Sequence, residues 1–260
     1  MTHPSGEALL RGLETGEVRV AERSTEGLWS VNAWVKEGIL QIFRDSPTVE
    51  LGDASVREFW PFVDKETLPV RDFPLSDGVR LVPGGSSVRR GAHLAEGCVL
   101  MPPCYVNIGA FVGSGSMIDS HALIGSCAQI GAGVHVSAGV QIGGVLEPIG
   151  SLPVIVEDGC MIGGQSGIYE GVRVRERAVL AAGVILTSSS LVFDLVNENE
   201  LRSSPESPLE IPTGAVVIPG TRPASGDFAG KLGLHQSCAL IVKYRDDRTD
   251  AKTALEEALR

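Results

Sequence analysis

Aromatic side chains are scarce in this chain: Phe, Tyr and Trp make up 5% of its 260 residues. That scarcity excludes a core built on rings and leaves the interior to small and β-branched residues. No apolar run reaches the ~18 residues of a membrane-spanning helix. The first stretch, MTHPSGEALLRGLETGEVRV, lacks the apolar segment of a secretory signal and points to a cytoplasmic protein. Cysteines number five (Cys98, Cys104, Cys127, Cys160, Cys238), an odd count without metal-type spacing, which reads as reduced thiols. Positive charge is in deficit, with 22 Lys and Arg against 32 Asp and Glu, for a net charge of −10. That balance argues against nucleic acid or an anionic membrane surface as partner, and any anionic substrate must be held by local cations. The sharpest absence is local. Between Glu96 and Glu147 about ten charges would be expected at the chain average of 21%, and Asp119 is the only one.

What is present is a repeat. From Val88 the chain divides into hexads: VRRGAH, LAEGCV, LMPPCY, VNIGAF, VGSGSM, IDSHAL, IGSCAQ, IGAGVH, VSAGVQ and IGGVLE. Each begins with Val, Leu or Ile. The fifth position is usually small, as at Ala92, Cys98, Cys104, Ala110, Ser116, Ala122 and Ala128. Phase slips by two residues across PIGSLPVI (148–155). It resumes at Val156 with VEDGCM, IGGQSG, IYEGVR, VRERAV, LAAGVI and LTSSSL. The polar segment NENELRSSPESP (197–208) interrupts, and IPTGAVVIPGTR (211–222) adds two more, for 18 hexads in all.

This period belongs to neither a helix nor a flat strand. It fits a parallel β-helix of triangular section, each hexad supplying one short strand and one corner. The aliphatic first residue points inward and the small fifth residue fits the corner. Three hexads make a coil, so six coils are expected, stacked to about 30 Å at the inter-strand spacing.

Around the column, SVNAWVKEGILQIFRDS (30–46) predicts an amphipathic helix with Trp34, Val35, Ile39, Ile42 and Phe43 on one face and Ser30 as N-cap. GEVRVAERSTEGLWSV (16–31) predicts a hairpin. CALIVKYRDD (238–247) predicts a strand and TDAKTALEEALR a terminal helix. The expected organisation is an N-terminal helical and hairpin region over 1–79, a β-helix over 80–222 with loops at 148–155 and 197–210, and a C-terminal extension over 223–260.

Outward positions of the charge-poor span are Gly, Ala, Ser, Asn, Gln and His, a better match to a protein surface than to open water. The span covers nearly three coils and so faces out on all three sides. A dimer contact covers one side. Three columns around a threefold axis cover two sides of each, and closed symmetry avoids a filament. A C3 homotrimer with grooves between columns is expected. A carboxylate in a covered groove is costly unless paired or used, which makes Asp119 the first functional candidate; the alternative is an exposed surface residue.

The words around Asp119 are specific. LMPPCYVNIGAFVGSGSMIDSHALIGSCAQIGAGVHVSAGVQIGGVLEP resembles the tetrahydrodipicolinate N-succinyltransferase family of lysine and diaminopimelate synthesis. So do VRLVPGGSSVRRGA, VNAWVKEGILQIFR and CALIVKYRDDRTDAKT, and the resemblance covers nearly the whole chain. It implies a left-handed β-helix of hexapeptide repeats, a homotrimer with active sites between subunits, and no permanently bound cofactor. The implied reaction moves succinyl from succinyl-CoA to the amine of ring-opened 2-amino-6-oxopimelate. By match, Asp119 is the active-site carboxylate and Arg80 contacts a substrate carboxylate. The chain also departs from the pattern. The N-terminal helical region is shorter than in many members. Many members have Arg-Ser-Glu where this chain has Gln165-Ser166-Gly167, and His121 stands where many have Trp. The nearest carboxylate to the missing Glu is Glu170: either it substitutes, or the second carboxylate is dispensable.

Arg222, Lys231, Lys243 and Arg245 are candidates for CoA phosphates, or else form a solvated face. Cys127 has no base placed beside it by any motif and reads as packing. A zinc hydratase on the same column would need histidines near multiples of 18 apart, and His93, His121 and His135 differ by 28, 14 and 42. A non-catalytic hexapeptide protein and an acetyl-CoA enzyme acting on the same amine are the remaining alternatives.

Overall fold

The computed structural model describes residues 3–52, 62–204 and 207–246. Its centre is a column of two-residue parallel strands wound through three faces. Face one stacks Ser87–Val88, Tyr105–Val106, Leu123–Ile124, Gln141–Ile142, Gly167–Ile168 and Ile185–Leu186. Face two stacks His93–Leu94, Phe111–Val112, Gln129–Ile130, Ile155–Val156, Arg173–Val174 and Glu210–Ile211. Face three begins at Arg80–Leu81 and climbs through Val99–Leu100, Met117–Ile118, His135–Val136, Met161–Ile162 and Val179–Leu180 to Ala215–Pro223. Faces one and two have six strands each, matching the six coils expected from the hexads.

The hexad explains the winding. Every first-position residue from Val88 to Ile142 and from Val156 to Leu186 is in the buried core, as are Val192, Ile211 and Val217. Fifth-position residues fill the corners from inside: Ala92, Cys98, Ala110, Ala122 and Ala128 are buried. Where that residue is polar it finds a carbonyl. Ser116 Oγ donates to Gly131 O at 2.8 Å and accepts from Val134 N at 3.0 Å. Ser166 Oγ donates to Ala181 O at 3.0 Å, so the buried hydroxyls are satisfied. Fourth positions turn the corner in the left-handed region, mostly as glycine, as at Gly109 (φ 75) and Gly139 (φ 71).

The predicted hairpin is present as Ala21–Arg23 paired with Trp29–Val31. A first helix, α1 (Gly6–Thr15), precedes it and is not marked by any expected segment; its Leu9, Leu10 and Leu13 are buried. The predicted helix forms as α2 (Ala33–Asp45), with Val35, Ile39 and Ile42 buried and Trp34 and Phe43 packed alongside. Ser30 is not its cap. It lies in the hairpin strand, and Asn32 occupies the N-cap without a side-chain bond. Strand pairing with Ala21–Arg23 takes residues 29–31 before the helix can start. α1 and α2 share a second core with Ile108 and Cys127, so the helices pack on the column corner between faces one and two. Arg90 fastens α1 to the column by pairing with Glu7 at 2.8 Å and Glu14 at 3.0 Å.

At the other end the last hexad departs from the pattern. Val217 keeps its inward place, but the chain then runs straight to Pro223 and returns as His235–Tyr244 in a long antiparallel arm. This strand covers most of the predicted 238–247. A short helix, α3 (Asp227–Leu232), lies near the arm's tip. Val192–Asp194 joins the same sheet beside the returning strand, and Asn199–Leu201 pairs with it antiparallel. The expected terminal helix over 249–260 lies outside the described residues.

Second-position glycines set the coil spacing. A Cβ on Gly113 would stand 2.5 Å from the Gly131 carbonyl carbon and 2.6 Å from Ala132 N on the next rung. Gly115, at φ +65, has nothing within 4 Å of such a Cβ. Gly113→Ala must therefore push two rungs apart, at a cost of about 2–3 kcal/mol, while Gly115→Ala bears only the left-handed backbone cost of about 1–2 kcal/mol. Urea unfolding should show the larger loss of midpoint for Gly113→Ala; the reverse order would contradict rung spacing as the constraint.

Candidate active site

Face three carries the lone carboxylate. Ile118 points into the column, so Met117 and Asp119 point out. The strand register aligns Arg80, Val99, Met117, His135, Met161 and Val179 in one outward row. The row two residues on holds Val82, Met101, Asp119, Ser137, Gly163 and Ala181. The chain has four methionines, and all three beyond Met1 lie in these two rows around Asp119.

The Asp119 side chain is 31% exposed. Its Oδ1 accepts from Ser120 N at 2.7 Å, which sets the plane of the carboxylate. Its Oδ2 lies 3.8 Å from Nε2 of His135, whose side chain is 13% exposed. Burial pushes the Cys104 thiol up, a hydrogen bond with Ser86 opposes this, and the nearby Asp119 charge adds to the rise. Sequence reasoning weighed His135 only as a zinc ligand and missed this contact. The signal was present: His135 follows Asp119 by 16 residues, two short of a full coil, which makes them diagonal neighbours on adjacent rungs. The three histidines weighed for zinc lie on different parts of the column. His93 is on face two against Phe111, His121 is at a corner, and His135 is on face three.

His121 stands two residues beyond Asp119, exposed, where the chain turns from face three to face one. It occupies the left-handed corner position at φ 62. Gln165 does the same at φ 61 two rungs up the same corner, with Gly139 between them. A non-glycine residue in this region costs about 1–2 kcal/mol, and such strain gathers at functional positions. Arg80 is exposed on face three, two rungs below Met117, or about 10 Å along the column. Asp119, His121 and Arg80 thus share one side of the chain.

Glu170 does not share it. It lies at the corner between faces one and two, at φ 54, where Oε2 accepts from Ser188 N at 3.0 Å and Ser188 Oγ at 2.5 Å. Gly167 is buried beneath Tyr169: a Cβ there would stand 2.5–2.9 Å from three atoms of that side chain. The carboxylate that many members carry at this position has no room while the Tyr169 ring lies over it. A cleft of about 760 Å³ opens on this face, lined by Leu123, Gly143, Tyr169, Glu170 and the extruded loop at Pro148, Ser151 and Leu152.

The four basic candidates do not form one cluster. Arg222 faces Gln236 across the arm, and Lys231 sits in the last turn of α3 at its tip. Lys243 pairs with Asp246 at 3.1 Å near the arm's base, opposite Val216, six residues or about 20 Å from Arg222. Arg245 Nη1 donates to Gly159 O at 3.0 Å and Arg177 O at 3.3 Å, binding the arm to a column corner. Cys127 is buried, and burial pushes its thiol up to about 12, with Lys36 working against the shift. The neutral thiol dominates at pH 7, so it is packing rather than a nucleophile. Backbone N–H groups are committed too: those of Asp119, His121, Ala122 and Leu123 bond carbonyls, and that of Ser120 bonds Asp119.

The column and the segment before it match a known class. Residues 153–188 fit the model of the hexapeptide repeat of succinyl-transferase, and residues 6–44 that of the tetrahydrodipicolinate N-succinyltransferase N-terminal region. The class is the hexapeptide-repeat acyltransferases with a left-handed β-helix. Relatives named 2,3,4,5-tetrahydropyridine-2,6-dicarboxylate N-succinyltransferase are similar over almost the full length. That of Nitrobacter winogradskyi is 43% identical over 250 residues, 95% of this chain and 86% of that protein. That of Polynucleobacter asymbioticus is 44% identical over 255 residues, 97% of this chain and 88% of that protein. That of Bradyrhizobium diazoefficiens is 43% identical over 255 residues, with the same shares. The chain belongs to the tetrahydrodipicolinate N-succinyltransferase family.

The two carboxylates should separate under substitution. Asp119→Asn keeps volume and removes charge, and should lower kcat/KM by at least ~100-fold, the scale of a lost proton-transfer group. Glu170→Gln, which leaves the Ser188 contact possible, should stay within about threefold, the change left when a side chain serves a corner rather than the chemistry. Steady-state kinetics on folded variants decide it: equal losses would make Glu170 the second catalytic carboxylate.

Proposed function

We propose that this protein transfers the succinyl group of succinyl-CoA to the amine of 2-amino-6-oxopimelate, the ring-opened form of tetrahydrodipicolinate, in diaminopimelate and lysine synthesis. The observation that carries it is the 43–44% identity over at least 95% of the chain with proteins named for that transfer. The co-substrate is succinyl-CoA. Among the described residues no helix is long and apolar enough to cross a membrane, and a cytoplasmic setting belongs to the proposal.

The chemistry needs a neutral amine, a polarised thioester carbonyl and a fixed approach. An amine near ~8 and an ordinary Asp near ~3.9 are poorly matched for a full proton transfer before attack. Asp119 instead orients the ammonium or amine and takes the proton as the N–C bond forms, when the nitrogen has become far more acidic. Arg80, on the same face, holds a pimelate carboxylate bidentately, and His121 lines the groove at the corner beyond Asp119. Holding amine and thioester together supplies much of the rate. Arg222 and Lys231 at the arm tip, and Lys243 and Arg245 at its base, are separate candidates for the CoA phosphates.

The donor is tested by initial rates with succinyl-CoA and acetyl-CoA on the same amine. Succinyl-CoA should give at least ~10-fold higher kcat/KM, a difference of about 1.4 kcal/mol. Acetyl preference would transfer the assignment to an N-acetyltransferase, and absence of any CoA-dependent transfer would leave a non-catalytic protein.

The assembly belongs to the same proposal: a C3 homotrimer with the Asp119 groove between columns. Face three presents a methionine-rich, nearly uncharged strip with Asp119 part-exposed, a surface suited to a partner subunit. Light scattering through a micromolar dilution series, run beside activity, should show activity falling as the trimer dissociates. An active monomer or a stable dimer would remove the shared groove.

A further inference from the structure

The chemistry above leaves a proton to be handled. A carboxylate alone is a weak acceptor for a proton that must later reach the departing thiolate. The structure supplies a second group in contact with the first. Asp119 and His135 meet across adjacent rungs, with Oδ2 and Nε2 3.8 Å apart. Two features make the pair directional. Oδ1 is fixed by Ser120 N at 2.7 Å, so the carboxylate presents Oδ2 towards the imidazole. Asp119 is the more open partner, 31% against 13% exposed, so the carboxylate meets the groove and the imidazole stands behind it. His135 is also flanked in register by Met117 below and Met161 above.

We propose that His135 is the positioning residue of the acyl transfer, standing behind Asp119 Oδ2 with Nε2 unprotonated and receiving through it the proton that the amine loses. This inference rests on the acyltransferase reading. In the step, the amine lone pair attacks the thioester carbonyl carbon and the C=O π pair moves to oxygen. The proton on nitrogen passes to Asp119 Oδ2 and on to neutral His135 Nε2, giving an imidazolium beside the restored carboxylate. The oxyanion then re-forms C=O, the C–S bond breaks, and the CoA thiolate leaves with the electron pair. The imidazolium proton returns through Asp119 to that sulfur. The products are amide and CoA thiol, and both residues regain their starting state. The separation of 3.8 Å closes to an O–H···N hydrogen bond once Oδ2 carries the amine's proton, as catalytic contacts commonly tighten in the complex. Among the described residues, the groups near this pair include Arg80 along the face, His121 at the adjoining corner and the buried Cys104 thiol.

Four proteins test the inference: wild type, Asp119→Asn, His135→Gln and the double variant. Gln presents an amide N–H near the place of Nε2 but cannot accept a proton. His135→Gln should lower kcat at least ~10-fold with both KM values within about twofold, the split expected for an interaction used in the transition state. The double variant should be no slower than Asp119→Asn alone, because the two residues act as one unit. Thermal unfolding and light scattering on each variant separate misfolding from lost chemistry, and His135→Asn, which shortens the side chain, serves if Gln does not fold. A wild-type kcat in a folded His135→Gln, or losses that multiply in the double variant, would overturn the inference while leaving the acyltransferase reading intact. No acyl transfer by wild type would overturn both.

Discussion

One aliphatic side chain per hexad, pointing into a triangular column, is the constraint on which the rest of the structure depends. The interior takes Val, Leu or Ile at each strand and a small residue at each corner, and little else fits. Backbone N–H and C=O groups then pair with the rungs above and below, so the ladder is satisfied without help from outward side chains. That frees the outward positions. They can be polar, apolar or charged with little effect on the coil, apart from glycines that let successive rungs approach.

The site uses that freedom. Asp119, His135 and three methionines lie in two outward rows of one face, and their positions follow from strand register alone. A parallel β-helix holds such residues at fixed spacing because each strand is anchored on both sides, a rigidity that loops do not provide. The corner beside Asp119 adds His121 and Gln165 in left-handed conformations that glycine would adopt with less strain. The opposite corner has a different chemistry. There Tyr169 covers Gly167, and Glu170 is occupied with Ser188. One side of the column concentrates the carboxylate, imidazole and guanidinium, while another opens a broad cleft with a tyrosine in its wall.

Much of this was legible in the sequence, and unevenly. The hexads predicted the column, its coil number and its inward residues, because period and packing are the same fact when each coil repeats on its own register. Asp119 stood out by charge scarcity alone. The α2 face was readable from its apolar spacing, but its start was not. Ser30 is a good cap by type, yet pairing of Trp29–Val31 with Ala21–Arg23 holds it in a strand. The first helix was not delimited within the expected helical region; its Leu9, Leu10 and Leu13 are buried in a core shared with Ile108 and Cys127 of the column. The basic residues near the C-terminus look like a group in sequence. They are separated because the chain runs out along an arm and back, placing Arg222 and Lys231 at one end and Lys243 and Arg245 at the other.

The sequence by itself determined the column and the lone acid within it, since both are properties of composition at a short, regular period. It also carried the family, through words of many residues. Tertiary structure alone decided who stands next to whom across rungs. His135 becomes the neighbour of Asp119 only when the coil length and strand alternation act together. The room at Gly167 is likewise a matter of where the Tyr169 ring comes to rest. Such contacts join residues through space at distances a side chain sets. The hexad specifies where each backbone position goes but not which way an outward side chain will turn.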